Sequence, residues 1–306
     1  MQNALYELFP TDNIKEVQET SGGKILIFDF HNLAYRNVFT AIHYEPEDNY
    51  DFFFWKHLML NSIITSAKKF KPKQIFLAVD SRGSWRYDHY KDYKNKRKTA
   101  RDKAAVDFER FHPIMNDFVI SLKETFSNMY VLDSPRTEAD DIIAVLIKDI
   151  LPANKEKIII SSDKDMNQLL TIDNVRQYEP IKQKFVGCLN PKRELDIKII
   201  MGDKSDCIPA IKPKCGIATA EKILKAGLVD LLESDTQIKE NWERNRILID
   251  MNFIPDDIKN GIINTYDDYE IAEINGSKLM SFFTKNRMMK HMEQWQQNSE
   301  YIKVLR

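Results

Sequence analysis

Three short apolar runs, KILIF at 24–28, QIFLAV at 74–79 and KIII at 157–160, are continuous rather than alternating, and each is followed within three residues by an aspartate. A strand that is apolar on both sides has to be covered on both faces, which is the condition of a parallel sheet held between layers of helix. The stretch 53–70 supplies one such helix, with Phe54, Leu58, Ile63, Ile64 and Ala67 at helical spacing and Pro72 closing it. Strands over 24–30, 74–80, 128–133, 157–163 and 175–178, with a helix over 138–150, make an alternation of strand and helix. The fold class is therefore α/β, a central, mostly parallel sheet with helices on both faces. At 306 residues the chain has room for roughly two domains. Strand signals stop after about residue 192, and Glu, Lys and Ile at helical spacing predict a smaller C-terminal helical region. Three parts follow: a polar lead-in over 1–23, an α/β domain over 24–200 and a helical domain over 201–306.

The ends of the apolar runs carry the chemistry. Asp29 and Asp80 close the first two, Asp163 and Asp165 follow the third in SSDKD, Glu138 and Asp140 stand in TEADD, and Asp203 and Asp206 stand in GDKSD. Open parallel sheets bind ligands beyond the carboxyl ends of their strands, and acids that converge there repel one another unless cations neutralise them. Mg²⁺, which prefers hard oxygen donors, is the expected cation. Each acid has a structural alternative. Asp29 or Asp80 alone could be a turn residue or cap, and Thr137 followed by Asp140 reads as a variant capping box. Asp163 and Asp165, two apart in an extended segment, would point to the same side. Asp203 and Asp206, three apart, would share one face of a helical turn, as a solvated surface pair would.

Charge is distributed unevenly. The net charge is only −1, yet between Lys91 and Lys103 seven cations stand against Asp92 and Asp102. This lies within 81–110, a segment without apolar periodicity that exceeds the usual length of a connection. An acidic pocket beside a basic segment suits a phosphodiester held by its neighbours. Cys188, Cys207 and Cys215 form no metal-binding spacing and read as reduced thiols. No apolar stretch approaches the ~18 residues of a membrane span, and the N-terminus lacks the pattern of a secretory signal. An intracellular protein without a membrane association is expected.

Assembled in this order, the motifs resemble those of the structure-specific 5′-nucleases of the flap endonuclease family, most nearly the phage-type ribonucleases H. KILIFDF and IFLAVD resemble the segments bearing the family's first two aspartates, EADD its E-A-[DE] motif, SSDKDM its S-x-D-x-D motif, and GDKSDCIP its G-D-x-x-D-N-I-P motif, with Cys207 where asparagine is usual. WRYDHYKDYKNKR resembles the element at the base of an arch that receives the 5′ strand. The resemblance implies that Arg86, Lys94 and Arg97 meet phosphates, that Tyr93 offers a ring for base stacking, and that Lys94 assists the chemistry alongside Asp29, Asp80, Asp140 and Asp163. KCGIATAEKILK resembles a helix-three-turn-helix that grips duplex backbone, through Gly216 and Thr219, with Lys214 where the motif, which often holds a potassium ion, has its first glycine. Gln2, Leu5, Leu8 and Phe9 fit a short sliding-clamp-binding pattern, with chance occurrence as the alternative.

The resemblance implies a PIN-like nuclease core with two Mg²⁺ ions, replaceable by Mn²⁺, hydrolysing phosphodiesters near 5′ ends. Its substrates would be 5′-flap or nicked DNA and RNA–DNA duplex during lagging-strand primer removal. It further implies a monomer in the cytoplasm of an infected host cell, working with a sliding clamp and a single-stranded DNA-binding protein. Two other readings stay open on sequence: a PIN-like single-strand ribonuclease, and a metal-dead module that binds branched nucleic acid.

Overall fold

The run Lys24–Asp29 forms β1 of a computed structural model that describes residues 23–44, 52–97 and 104–305. It is followed by β2 (Pro72–Ala78), β3 (Met129–Leu132), β4 (Lys157–Ile160), β5 (Val175–Glu179) and a two-residue β6 (Lys184–Phe185). The strands are ordered β3-β2-β1-β4-β5-β6. The first five are parallel, and β6 runs antiparallel to β5. The chain winds outward from β1 to β3 and then returns to place β4 on the other side of β1. The order therefore reverses between β1 and β4, where the strand ends leave a crevice.

Both faces of the sheet are buried, which accounts for the unbroken apolar runs. Leu26 and Phe28 of β1 point into one core with helices α1 (Phe30–Ala41), α2 (Phe53–Phe70) and α4 (Phe108–Thr125). Ile25 and Ile27 point into the other with α5 (Ala139–Val145), which continues through one π-helical turn, Leu146–Ile150. A short α3 (Arg86–His89) lies between β2 and α4. The C-terminal region comprises α6 (Pro191–Met201), α7 (Ile217–Ala226), α8 (Leu228–Ser234), α9 (Thr236–Ile249), α10 (Asp256–Asp267), α11 (Gly276–Lys285) and α12 (Met289–Gln297). It adds to both cores, Ile258 and Ile262 of α10 beside α5, and Leu279, Phe282 and Phe283 of α11 beside α2 and α4.

Several boundaries differ from the sequence expectation. The second strand ends at Ala78, so Asp80 stands two residues beyond it. The aromatic and basic segment is shorter than 81–110, because Asp107 caps α4 by accepting from Arg110 N at 3.1 Å. Helix α5 is capped at Glu138, whose N–H donates to Asp141 Oδ2 at 3.0 Å. The Thr137–Asp140 box is not formed, and Thr137 Oγ1 instead donates to Ser134 O at 2.6 Å. Gln2, Leu5, Leu8 and Phe9 lie outside the described residues, as do Lys98, Arg101 and Lys103.

Candidate active site

The eight carboxylates Asp29, Asp80, Glu138, Asp140, Asp163, Asp165, Asp203 and Asp206 line one cavity of roughly 610 Å³ at the β1/β4 switch. Neighbouring elements set them. Asp29 ends β1 and caps α1, its Oδ1 accepting from Asn32 N at 3.1 Å and its Oδ2 from Ser161 Oγ at 2.9 Å. Asp80 is turned by the start of α5, where Ala139 N donates to its Oδ1 at 2.7 Å. The Asp80 N–H donates to His31 Nδ1 at 3.0 Å, so that nitrogen of His31 is an acceptor. Asp163 caps a 3₁₀ segment, Lys164–Thr171, and accepts from Asp165 N at 2.9 Å, which leaves both side chains facing the cavity.

Asp203 and Asp206 sit in a tight turn closed by a bridge between Asp203 and Ile208. Gly202 enters that turn at φ +67, and a Cβ there would fall 2.3 Å from Ile208 O, so only glycine fits. Cys207 adopts φ +61, a left-handed conformation in which asparagine is far more at ease.

Crowding dictates the electrostatics. Burial, with the Asp80 charge next, pushes Asp29 up to about 7, against the hydrogen bonds from Asn32 and Ser161. Asp140 is driven well above the carboxylate range by burial and then by Asp163, Asp29 and Asp165. Asp165 is raised by burial, with Lys198 opposing and Asp163 adding to the rise. Asp203 is different: burial works against its charge, but the hydrogen bonds from Lys198 and Ser205 prevail and hold it at about 2.

Oxygens of Asp140, Asp163 and Asp165 lie within 4.8 Å of one another, within reach of a single cation. The donors are all carboxylate oxygens, the set that suits Mg²⁺ or Mn²⁺ rather than a softer metal. The residues present therefore fit the expected ions, and a second ion would draw on the acids around them.

Three of the cations that line the same cavity pair with its acids. Lys94 Nζ is 2.6 Å from Glu138 Oε1 and 4.0 Å from Asp206 Oδ2, and Arg97 Nη2 is 2.5 Å from Asp206 Oδ1. The backbone N–H of Lys94, at φ +53, donates to Asp206 O at 2.8 Å and ties the basic segment to the GDKSD turn. The third cation, Lys198 of α6, was not foreseen. It pairs with Asp165 and lies 2.8 Å from Asp203 Oδ2. Its only signal in the chain is its place on a helix one turn ahead of GDKSD.

Two residues of the basic segment are used differently from the expectation. The Arg86 guanidinium, expected on a phosphate, is buried and grips Asp141 with Nη2 at 2.8 Å from Oδ1 and Nη1 at 3.0 Å from Oδ2. Its Nε donates to Leu248 O at 2.9 Å, and Trp85 Nε1 donates to the same aspartate at 3.1 Å. Asp141 is thereby explained as the anchor of α3. Tyr93, expected to stack on a base, has its ring buried among Ile199, Ile208, Leu248 and Ile249, and its hydroxyl donates to Glu138 Oε2 at 2.8 Å. The exposed ring beside it is Tyr87, edge-on at 5.7 Å. Gly216 caps α7, with open space where a Cβ would stand, and Thr219 N donates to Gly216 O at 3.0 Å.

Residues 24–199 match the model of the 5′-3′ exonuclease N-terminal resolvase-like domain, and residues 218–297 match that of the T4 RNase H C-terminal region. The chain is 30% identical over 288 residues to ribonuclease H of Enterobacteria phage T4, spanning 87% of this chain and 93% of that protein. It is 31% identical over 213 residues to a 5′-3′ exonuclease of Buchnera aphidicola, spanning 66% and 69% of the two. In fold it is similar to the T5 D15 protein co-crystallised with metal ions, with a TM-score of 0.60 at 22% identity, covering 82% of this chain and all of that one.

Proposed function

The chain belongs to the 5′-3′ exonuclease family and is a 5′-nuclease, and from that premise we propose that it is a magnesium-dependent, structure-specific enzyme that removes primers and flaps. The observation that carries the reading is the convergence of eight carboxylates on one cavity, three of them within reach of one ion. In the reaction, water adds to phosphorus, the 3′ oxygen departs, and the products carry a 5′-phosphate and a 3′-hydroxyl. Two divalent ions, when bound, would supply activation of water and neutralisation of the phosphate.

The residues act around them. Asp140, Asp163 and Asp165 would hold one ion, with Asp29 and Asp80 beside it, and Glu138, Asp203 and Asp206 would complete the second set. Ser161 and Asn32 fix the rotamer of Asp29, and the N-terminal amide of α5 fixes Asp80. Lys94 and Arg97, paired here with Glu138 and Asp206, would meet the phosphate, and Lys94 would balance charge that develops on the phosphate oxygens.

Residues 24–200, joined by Asp203 and Asp206 of the next turn, then carry the chemistry, and the helical region over 201–306 grips the duplex, with Gly216 and Thr219 at a solvent-facing helix start. The proposed substrates are 5′-flap and nicked DNA and the RNA–DNA duplex of lagging-strand primers. The enzyme would work as a monomer, with Gln2, Leu5, Leu8 and Phe9 as the segment offered to a sliding clamp.

Cleavage of a 5′-flap duplex and an RNA–DNA duplex, each with Mg²⁺ and with a chelator, tests this. Products in Mg²⁺ with 5′-phosphate ends are expected. Binding of these duplexes with no product in Mg²⁺ or Mn²⁺ overturns the reading.

A further inference from the structure

Helix α1 serves two cavities of opposite character. Asn32, Arg36 and Thr40 fall four residues apart on one stripe of it, about one helical turn each. Asn32 lines the acidic cavity, whereas Arg36 and Thr40 line a second one of roughly 420 Å³ enclosed by α1, α2 and the turn after β5. The chemistry of the second is the reverse of the first. Two cations, Arg36 and Lys69, stand among hydroxyls and amides that include Thr65, Asn61 and Gln183, and among the described residues no carboxylate lines it.

The cations are incompletely matched. Lys69 Nζ lies 2.7 Å from the neutral hydroxyl of Tyr178. Arg36 Nη1 is shielded from solvent and has no hydrogen-bond partner among the described residues. Burial holds the Arg36 guanidinium below its ordinary value, against the charges of Glu179 and Asp29. Glu179 itself is engaged by Lys182 at 2.8 Å. A guanidinium donor sequestered without an acceptor is costly unless a ligand supplies one, and a planar fork flanked by hydroxyls and amides suits a tetrahedral oxyanion.

We propose that this cavity is a phosphate site that takes a backbone phosphate of the nucleic-acid substrate, beyond the one cleaved. The cavity opens at the carboxyl end of β5, the same edge of the sheet as the acids, and a strand repeats its phosphates as α1 repeats its stripe. The identity of the ligand rests on the 5′-nuclease reading, whereas an anion site as such does not.

Two arms test it, each on the full chain as wild type, Arg36→Met and Lys69→Met, the lysine variant serving if the arginine variant does not fold. In the first arm, thermal melting without divalent ions is followed against inorganic phosphate, and the wild type melts higher with phosphate while the variants do not respond. In the second, KM for flap-duplex cleavage rises about tenfold in a variant, the loss falls on KM more than on kcat, and the salt dependence of binding becomes shallower by about one phosphate contact. A response in the second arm assigns the site to strand phosphate, and a response in the first arm alone assigns it to free phosphate. Folded variants that match the wild type in both arms overturn the proposal. A wild type that cuts no duplex instead overturns the nuclease reading and leaves the first arm to stand.

Discussion

The ammonium of Lys94 rests 2.6 Å from Oε1 of Glu138, so a cation suited to the scissile phosphate is held on a carboxylate suited to a metal. Burial disfavours the Lys94 charge, but Glu138 and Asp206 more than compensate and raise its pKa. Lys94→Met keeps the length and loses the charge. Removing one preorganised stabiliser of transition-state charge costs about 10²–10³ in rate. Single-turnover cleavage at saturating enzyme should fall by that order, with duplex affinity falling far less. Equal losses in both would make Lys94 a tether.

Asp163→Asn separates charge from shape. An asparagine oxygen can still accept from Asp165 N, now at 2.9 Å, so the turn survives. The ion that Asp140, Asp163 and Asp165 are proposed to share would lose one anionic donor. Cleavage should drop below detection and calorimetric Mg²⁺ binding should weaken, while circular dichroism and flap-duplex binding persist. Ordinary turnover in this variant would remove Asp163 from the catalytic set.

The convergence of the acids was legible in the chain and the packing of Arg86 and Tyr93 was not, for physical reasons. A crevice at the strand ends fixes where such acids stand, so Asp29, Asp163 and their neighbours announce themselves. The fate of a basic or aromatic side chain depends instead on what packs over it. Nothing local marks Arg86 as the partner of Asp141 or buries Tyr93 against Leu248. Helix α1 was hidden because Asp29 is at once the end of β1 and the cap of the helix, with no polar break between them. Helix α4 went unread although Phe111, Met115, Phe118 and Leu122, all buried, stand at helical spacing, and its first turn was absorbed into the expected loop. The two-residue β6 is too short for any periodicity.

Because Arg86 is a buried anchor, its loss should appear as instability. Breaking a buried, hydrogen-bonded pair from one side costs roughly 3–5 kcal/mol, much of it from the charge left behind. Arg86→Met should therefore lower the urea midpoint strongly, and Arg86→Met with Asp141→Leu should recover part of the loss. If Arg86→Met were as stable as the wild type but bound duplex poorly, Arg86 would be a phosphate ligand after all.

Cys207 offers a gain. Its φ of +61 is costly for most residues with a Cβ and mild for asparagine. Lys96 N approaches its sulfur at only 3.5 Å, a weak contact to give up. Cys207→Asn should stabilise the protein by about 0.5–1 kcal/mol in chemical denaturation, within the range of relieved backbone strain, and should not reduce cleavage. A loss of stability would mean that the thiol contact outweighs the backbone term.

The pH dependence of the metal-free protein should carry two contributions of opposite sign. His291, buried between His57 and Tyr301, is held at about 4 by burial, with the His57 charge next. The unfolded chain, with histidine near 6.5, binds the extra proton between those values, so this group adds stability as pH rises to about 6.5. Asp29 is pushed up to about 7 and Asp140 is also raised, so there the folded state holds the extra protons. Their contribution falls as pH climbs toward and through 7, and above 6.5 it acts without opposition from His291. Melting temperature in chelator should thus decline from pH 6.5 to 8. Saturating Mg²⁺ should flatten the decline, because cations take over the neutralising role of the protons. Asp140→Asn should flatten it in part without metal. A melting temperature that keeps rising over this window in chelator would show that the carboxylates are not in conflict, and would remove the electrostatic reason for a divalent ion at the β1/β4 crevice.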